Sequence, residues 1–112
     1  MDMKEIFEIQ NKFQMEAFPD FWKIKDEKDF YNKLLYLGLA LSGEVGELNN
    51  MIKKLYRSKF FKNEKIEIDK EKIGEELADI FIYIILLCLL LDIDLEKEYL
   101  KKLEKNKNRF IK

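Results

Sequence analysis

An all-α fold of four main helices, self-associating through the third, is predicted by three features of this 112-residue chain. Apolar residues recur every three or four positions through long stretches, the period of a helix with one buried face. The breaks between those stretches fall at Pro19-Asp20, Asp26, Asp69 and Asp92-Ile93-Asp94, residue types that end helices or cap their first turn. The run Ile80 to Leu91 is apolar apart from the Tyr83 hydroxyl and Cys88. A helix apolar on all sides has to be covered on all sides, which a bundle this small hardly does alone, so a homodimer or homotetramer is expected.

The first helix is predicted from Met3 to about Phe18, with Ile6, Ile9, Phe13 and Phe18 facing the core. Phe18, Phe21 and Trp22 then either close one end of that core or offer a ring, Trp22 among them, for stacking on a nucleobase. Behind Asp26 as cap, with Glu27 and Asp29 in a first turn whose dipole favours anions, a second helix runs from Glu27 to Arg57. Its inward residues are Phe30, Leu34, Leu37, Leu41, Leu48, Met51 and Leu55. Gly38, Gly43 and Gly46 cost about 1 kcal/mol each inside a helix relative to Ala; two of them flank Glu44, where close helix packing or a bound phosphate would account for them. Ser58 to Asp69 shows no period and reads as a loop, with a turn or short strand at Ile66 to Ile68. The third helix spans Lys70 to Leu91. The fourth, capped by Asp94, spans Leu95 to Phe110, with Leu100, Leu103 and Phe110 inward and a polar stripe of Tyr99, Lys102, Asn106 and Arg109. No repeat or second domain interrupts this order, so one domain is expected.

Composition removes several function classes. There are 21 Lys and Arg against 22 Asp and Glu, a net charge of −1, which gives no basic excess and predicts no nucleic acid polymer as partner. Twelve apolar residues of helix are too short for a hydrocarbon core of roughly 30 Å, so no membrane is expected either. A lone Cys88 in an apolar run is a small buried thiol rather than half of a disulfide, and Met1 to Lys12 has no apolar core segment, so a cytoplasmic protein is expected. The chain has no His, which excludes Ser/His and Cys/His triads, His-based zinc sites and the Glu-x-x-His motif of di-iron bundles.

What remains is oxygen chemistry, and two acidic motifs supply it. GEVGEL contains Glu44-x-x-Glu47 and EELAD contains Glu76-x-x-Asp79, with 28 residues between Glu47 and Glu76. Residues three apart share a helix face, so two such helices face to face would gather four carboxylates. Those acids would repel one another unless a cation lay among them, and an all-carboxylate site suits Mg²⁺ or Mn²⁺. Metal-assisted hydrolysis of a phosphoanhydride is the chemistry implied. Lys54, seven residues after Glu47, and Arg57 are candidate phosphate contacts, or simply serve the dipole at a helix end. Tyr83, four after Asp79, either lines a base or sugar pocket or is a core tyrosine. Spacing alone does not separate Glu75 from Glu76 as ligand.

GEVGEL, then EELADIFIY, then a capped helix and KLEKNKNRF, resembles the MazG-like all-α nucleoside triphosphate pyrophosphohydrolases, including the dCTP pyrophosphatase-like group, from about Phe13 to Phe110. The resemblance implies a four-helix MazG-like bundle that hydrolyses a (d)NTP to the monophosphate and pyrophosphate with Mg²⁺, in nucleotide-pool house-cleaning. It implies Glu44, Glu47, Glu76 and Asp79 as metal ligands, which selects Glu76 over Glu75, and Glu47 as the residue that positions or deprotonates the attacking water. Tyr83, Lys102 and Asn106 match nucleotide or phosphate contacts. Enzymes preferring dCTP carry a Trp where this chain has Lys54, and the loop after Arg57 differs from theirs; IKKLYR is similar to a Lys-rich form in some phage-type relatives. The alternative class is a catalytically silent helical oligomer that binds nucleotide or metal.

Overall fold

Residues 1–111 are described by a computed structural model with four helices: α1 (Met3–Ala17), α2 (Glu27–Phe60), α3 (Lys70–Leu91) and α4 (Leu95–Phe110). There is no strand among the described residues. Each helix starts where an aspartate accepts a hydrogen bond from the backbone N–H three residues on. Asp2 accepts from Glu5 at 2.9 Å, Asp26 from Asp29 at 2.8 Å, Asp69 from Lys72 at 3.1 Å and Asp94 from Lys97 at 3.1 Å. Each satisfies an N–H that a first turn otherwise leaves unbonded. Asp29 reinforces the start of α2, accepting from the Lys25 N–H and from Lys33 Nζ, both at 2.9 Å. The Lys25 backbone bond first, and Lys33 next, hold its carboxyl below the usual carboxylate range.

The chain forms two compact units, Met1–Lys23 with Ile85–Lys112, and Ile24–Ile84. In the second unit α2 and the first part of α3 supply the interior. Leu37 is buried, with Phe30, Leu34, Leu41, Leu48, Met51 and Leu55 half-buried along the same line of α2. In the first unit Ile85, Leu86 and Cys88 are buried. No helix is long and apolar enough to cross a membrane among the described residues.

Several expectations are corrected. α2 continues one turn past Arg57 to Phe60. Arg57 and Lys59 lie in that last turn, where cations suit the dipole, and the N–H groups of Phe61 and Lys62 close on the Arg57 carbonyl. Ile66 to Ile68 form no strand, and among the described residues no second strand exists to pair with them. On α1 the inward face is not Ile9, Phe13 and Phe18, which are 55%, 53% and 54% exposed. It is Met3, Ile6, Phe7, Gln10, Asn11 and Gln14, with Gln14 buried and accepting from Gln10 Nε2 at 3.0 Å. Two faces of α1 carry apolar residues at helical spacing, and the one with an internally satisfied amide pair is inside. On α4, Leu100, Leu103 and Phe110 are exposed, while Leu95 and Asn106 are half-buried. Its unit offers only α1 and the last turns of α3, too little surface to cover a whole face.

The glycines of α2 are not there for packing within this chain. A Cβ built on Gly38, Gly43 or Gly46 meets nothing within 4 Å, and none has a positive φ. Gly46→Ala should therefore stabilise the protein by about 1 kcal/mol through helix propensity, seen as a raised midpoint in thermal unfolding; a lowered midpoint would mean that the open space beside α2 is filled in solution.

Candidate metal centre

The inward line of α2 reads Leu37, Leu41, Glu44, Leu48, Met51, Leu55, and that of α3 reads Ile73, Glu76, Ile80, Tyr83. Glu44 and Glu76 thus occupy steps of a core-facing series where an apolar residue would ordinarily stand. One turn on from Glu44, Glu47 comes alongside, and one oxygen from each of Glu44, Glu47 and Glu76 lies within 4.8 Å of the others. Glu44 and Glu76 are half-buried and Glu47 is exposed, so the cluster has a closed side and an open one. Glu75 is exposed and outside the cluster, so the α3 carboxylate that meets the two on α2 is that of Glu76.

Oε2 of Glu44 and Oε2 of Glu76 are buried and have no hydrogen-bond partner among the described residues. A buried carboxylate oxygen without a donor is costly, and the cost grows when other carboxylates crowd it. Burial first, then the charges of Glu47, Asp79 and Glu76, push the Glu44 carboxyl above its usual range. Two things relieve such a site, a proton or a cation. The donor set is all carboxylate, open on the Glu47 side for water or phosphate oxygens, which fits a hard divalent ion that keeps part of its coordination for other ligands.

Asp79, the fourth predicted acid, is exposed and is not one of the three whose oxygens converge. Its charge nonetheless acts on Glu44 and on Tyr83. Tyr83 is half-buried beside the acids; burial first, then Tyr36, Glu44 and Asp79, raise its hydroxyl, which stays protonated and able to donate. Tyr36 is a neighbour that sequence reasoning missed. It precedes Glu44 by eight residues, just over two turns, a spacing that would have placed it on this side of α2.

The remaining predicted residues are not among the three whose oxygens converge. Lys54 and Arg57 lie further along α2, exposed and in no ion pair among the described residues. Trp22, Lys102 and Asn106 belong to the other compact unit. Trp22 is half-buried, edge-on to Phe21 at 5.3 Å, with Nε1 buried and unpartnered. Lys102 is exposed and Asn106 half-buried.

The direction of the Glu44 shift fixes a pH dependence. The folded protein holds the Glu44 proton more tightly than the unfolded chain, so the metal-free fold loses stability as pH rises above the ordinary glutamate range through the raised value. Glu44→Gln should remove that dependence and raise the metal-free unfolding midpoint at neutral pH. Thermal melts from pH 4 to 8 in EDTA check it; a variant with the parent's pH slope would show that Glu44 is not under this strain.

The model of one protein family, described as the MazG nucleotide pyrophosphohydrolase domain, matches residues 33–110. A search of curated proteins and a search of solved structures each returned no match. The matched range is well over half the chain and holds both acid pairs, α3, α4 and most of α2; the chain belongs to the MazG nucleotide pyrophosphohydrolase domain family.

Proposed function

We propose that this protein is a Mg²⁺-dependent nucleoside triphosphate pyrophosphohydrolase, with Mn²⁺ as a substitute ion, that converts a (d)NTP to the monophosphate and pyrophosphate in nucleotide-pool house-cleaning. The observation that carries this reading is the convergence of carboxylates from two helices within 4.8 Å, with two buried oxygens that no protein donor reaches. Family membership supplies the reaction class. Glu44, Glu47, Glu76 and Asp79 are the residues that would hold the ion. When bound, it supplies charge neutralisation on the phosphates and a lowered pKa for a coordinated water.

The chain's own residues divide the remaining work. Glu47 is the exposed member of the cluster and orients the attacking water, taking its proton as the anhydride between the α and β phosphates is hydrolysed. Lys54 and Arg57, in no ion pair among the described residues, hold the phosphates that leave as pyrophosphate. Tyr83, which keeps its hydroxyl proton, donates a hydrogen bond to the sugar or base. Trp22, Lys102 and Asn106 are proposed as nucleotide contacts in their own right, Trp22 by stacking.

Self-association, as a homodimer or homotetramer through α3, is part of the same reading. Support comes from how little of the chain is covered: of its 47% apolar residues only Leu37, Ile85, Leu86 and Cys88 are buried among the described residues. Uncovered apolar surface on this scale marks association. It lies on α2 as well, where Tyr31, Leu35 and Leu39 form an exposed line. A cytoplasmic location agrees with a nucleotide substrate and a single free thiol.

A panel of NTPs and dNTPs with Mg²⁺ should yield monophosphate and pyrophosphate, abolished by EDTA and lowered at least about 100-fold in Glu47→Gln, the usual range for loss of a general base. Orthophosphate as product, or a fully active Glu47→Gln, would refute the mechanism; metal or nucleotide binding without turnover would identify a silent binding module instead. Sedimentation at micromolar concentration should give a dimer or tetramer, and a monomer would remove the association.

A further inference from the structure

The end of α2 and the segment after it carry a feature that the carboxylate cluster does not use. From Lys53 to Lys65 the sequence KKLYRSKFFKNEK holds six cations and one acid, Glu64, within a chain of net charge −1. Three aromatic residues are interleaved with them, Tyr56, Phe60 and Phe61, at 56%, 61% and 74% exposure. The rings form one cluster, Tyr56 to Phe60 at 5.0 Å between centroids and Tyr56 to Phe61 at 5.9 Å. Lys59 Nζ lies 6.0 Å from the Phe60 centroid. Lys53, Lys59, Lys62 and Lys65 make no ion pair among the described residues. Helical spacing lines up Ile52, Tyr56 and Phe60 as a ridge with Lys59 along one edge and Lys53 along the other, each roughly 20° away, while Glu47 and Lys54 project from the far side of the helix.

Exposed rings bracketed by unpaired ammonium groups suit a ligand that alternates flat apolar faces with negative charge. We propose that this ridge binds single-stranded nucleic acid, the rings stacking on bases and the lysines lying along the phosphates. A lipid surface is a poorer match. The apolar arc from Ile52 to Phe60 spans only about 80°, narrower than the face by which a helix beds into an interface, and Glu67 lines the cleft beside it with Ile66 and Ile68. A second copy of this chain would bring the same positive excess against itself. The whole-chain charge that argues against a polymer partner conceals this local excess, because the acids compensating it lie elsewhere in the sequence. The inference does not depend on the hydrolytic reaction.

Fluorescence anisotropy of the full chain with labelled dT12 and rU12, against a blunt duplex and anionic vesicles, tests it. Binding to both single strands is expected, with log Kd rising with log salt at a slope of about 3 for four lysine contacts. Phe60→Ala/Phe61→Ala should weaken it at least about tenfold, and Lys59→Glu/Lys62→Glu should do the same, with nucleotide hydrolysis unchanged in both. Circular dichroism controls for folding; if the phenylalanine pair fails to fold, the exposed lysine pair decides. No single-strand binding, binding that both folded variants retain, or a preference for vesicles or duplex would each overturn the proposal.

Discussion

Three carboxyl groups with oxygens within 4.8 Å of one another, two of them partly withdrawn from water, set the terms for the rest of this structure. Carboxylates do not gather spontaneously, so the packing of α2 against α3 has to hold them together. It does so with the same helical lines in which they stand: Leu41 and Leu48 lie one turn before and after Glu44, and Ile73 and Ile80 frame Glu76. The acids are therefore interruptions of an apolar seam rather than ornaments on a solvated face, and their position is as rigid as the seam itself. Glu47, a turn beyond and exposed, is the member whose surroundings leave it free to meet something from solution.

A fold that accommodates such a site with so thin an interior leaves much unsatisfied. Exposed apolar side chains occur on every helix, from Ile9 and Phe13 on α1 through Tyr31, Leu35 and Leu39 on α2 and Leu77 on α3 to Leu100 on α4. Scattered singly they would mean little. In consecutive turns of one helix, as on α2, they describe a surface whose stability depends on what covers it.

The helices and three of their caps were legible because periodicity and Asp placement are local properties, and Asp26, Asp69 and Asp94 cap as their neighbours predict. The acid motifs were legible for the same reason, each being contained within one turn. Orientation was harder. Ile9 and Phe13 satisfy the helical period as well as Ile6 and Phe7 do, and nothing within α1 distinguishes the two faces. Leu100 and Leu103 fit a buried face that their unit does not have the surface to cover. The choice between Glu75 and Glu76 is a matter of the phase of α3 relative to α2, a tertiary quantity that spacing within one helix does not contain; the family resemblance selects Glu76, and Glu76 is the one whose carboxylate converges with those of Glu44 and Glu47. Tyr36 was missed because it lies outside both motifs, although its distance from Glu44 in helical turns was available.

The amide pair of Gln10 and Gln14 has a consequence for what the inward face of α1 costs. Both side chains stand on the same helix, one turn apart, so the bond between them turns with α1 and does not select its azimuth. Its effect is local: the Gln14 side-chain oxygen keeps a donor after leaving water, without help from another element, which lowers the penalty for turning a polar residue inward. α1 can therefore bury Gln14 on the face of Ile6 and Phe7 while Ile9 and Phe13 stay as apolar surface.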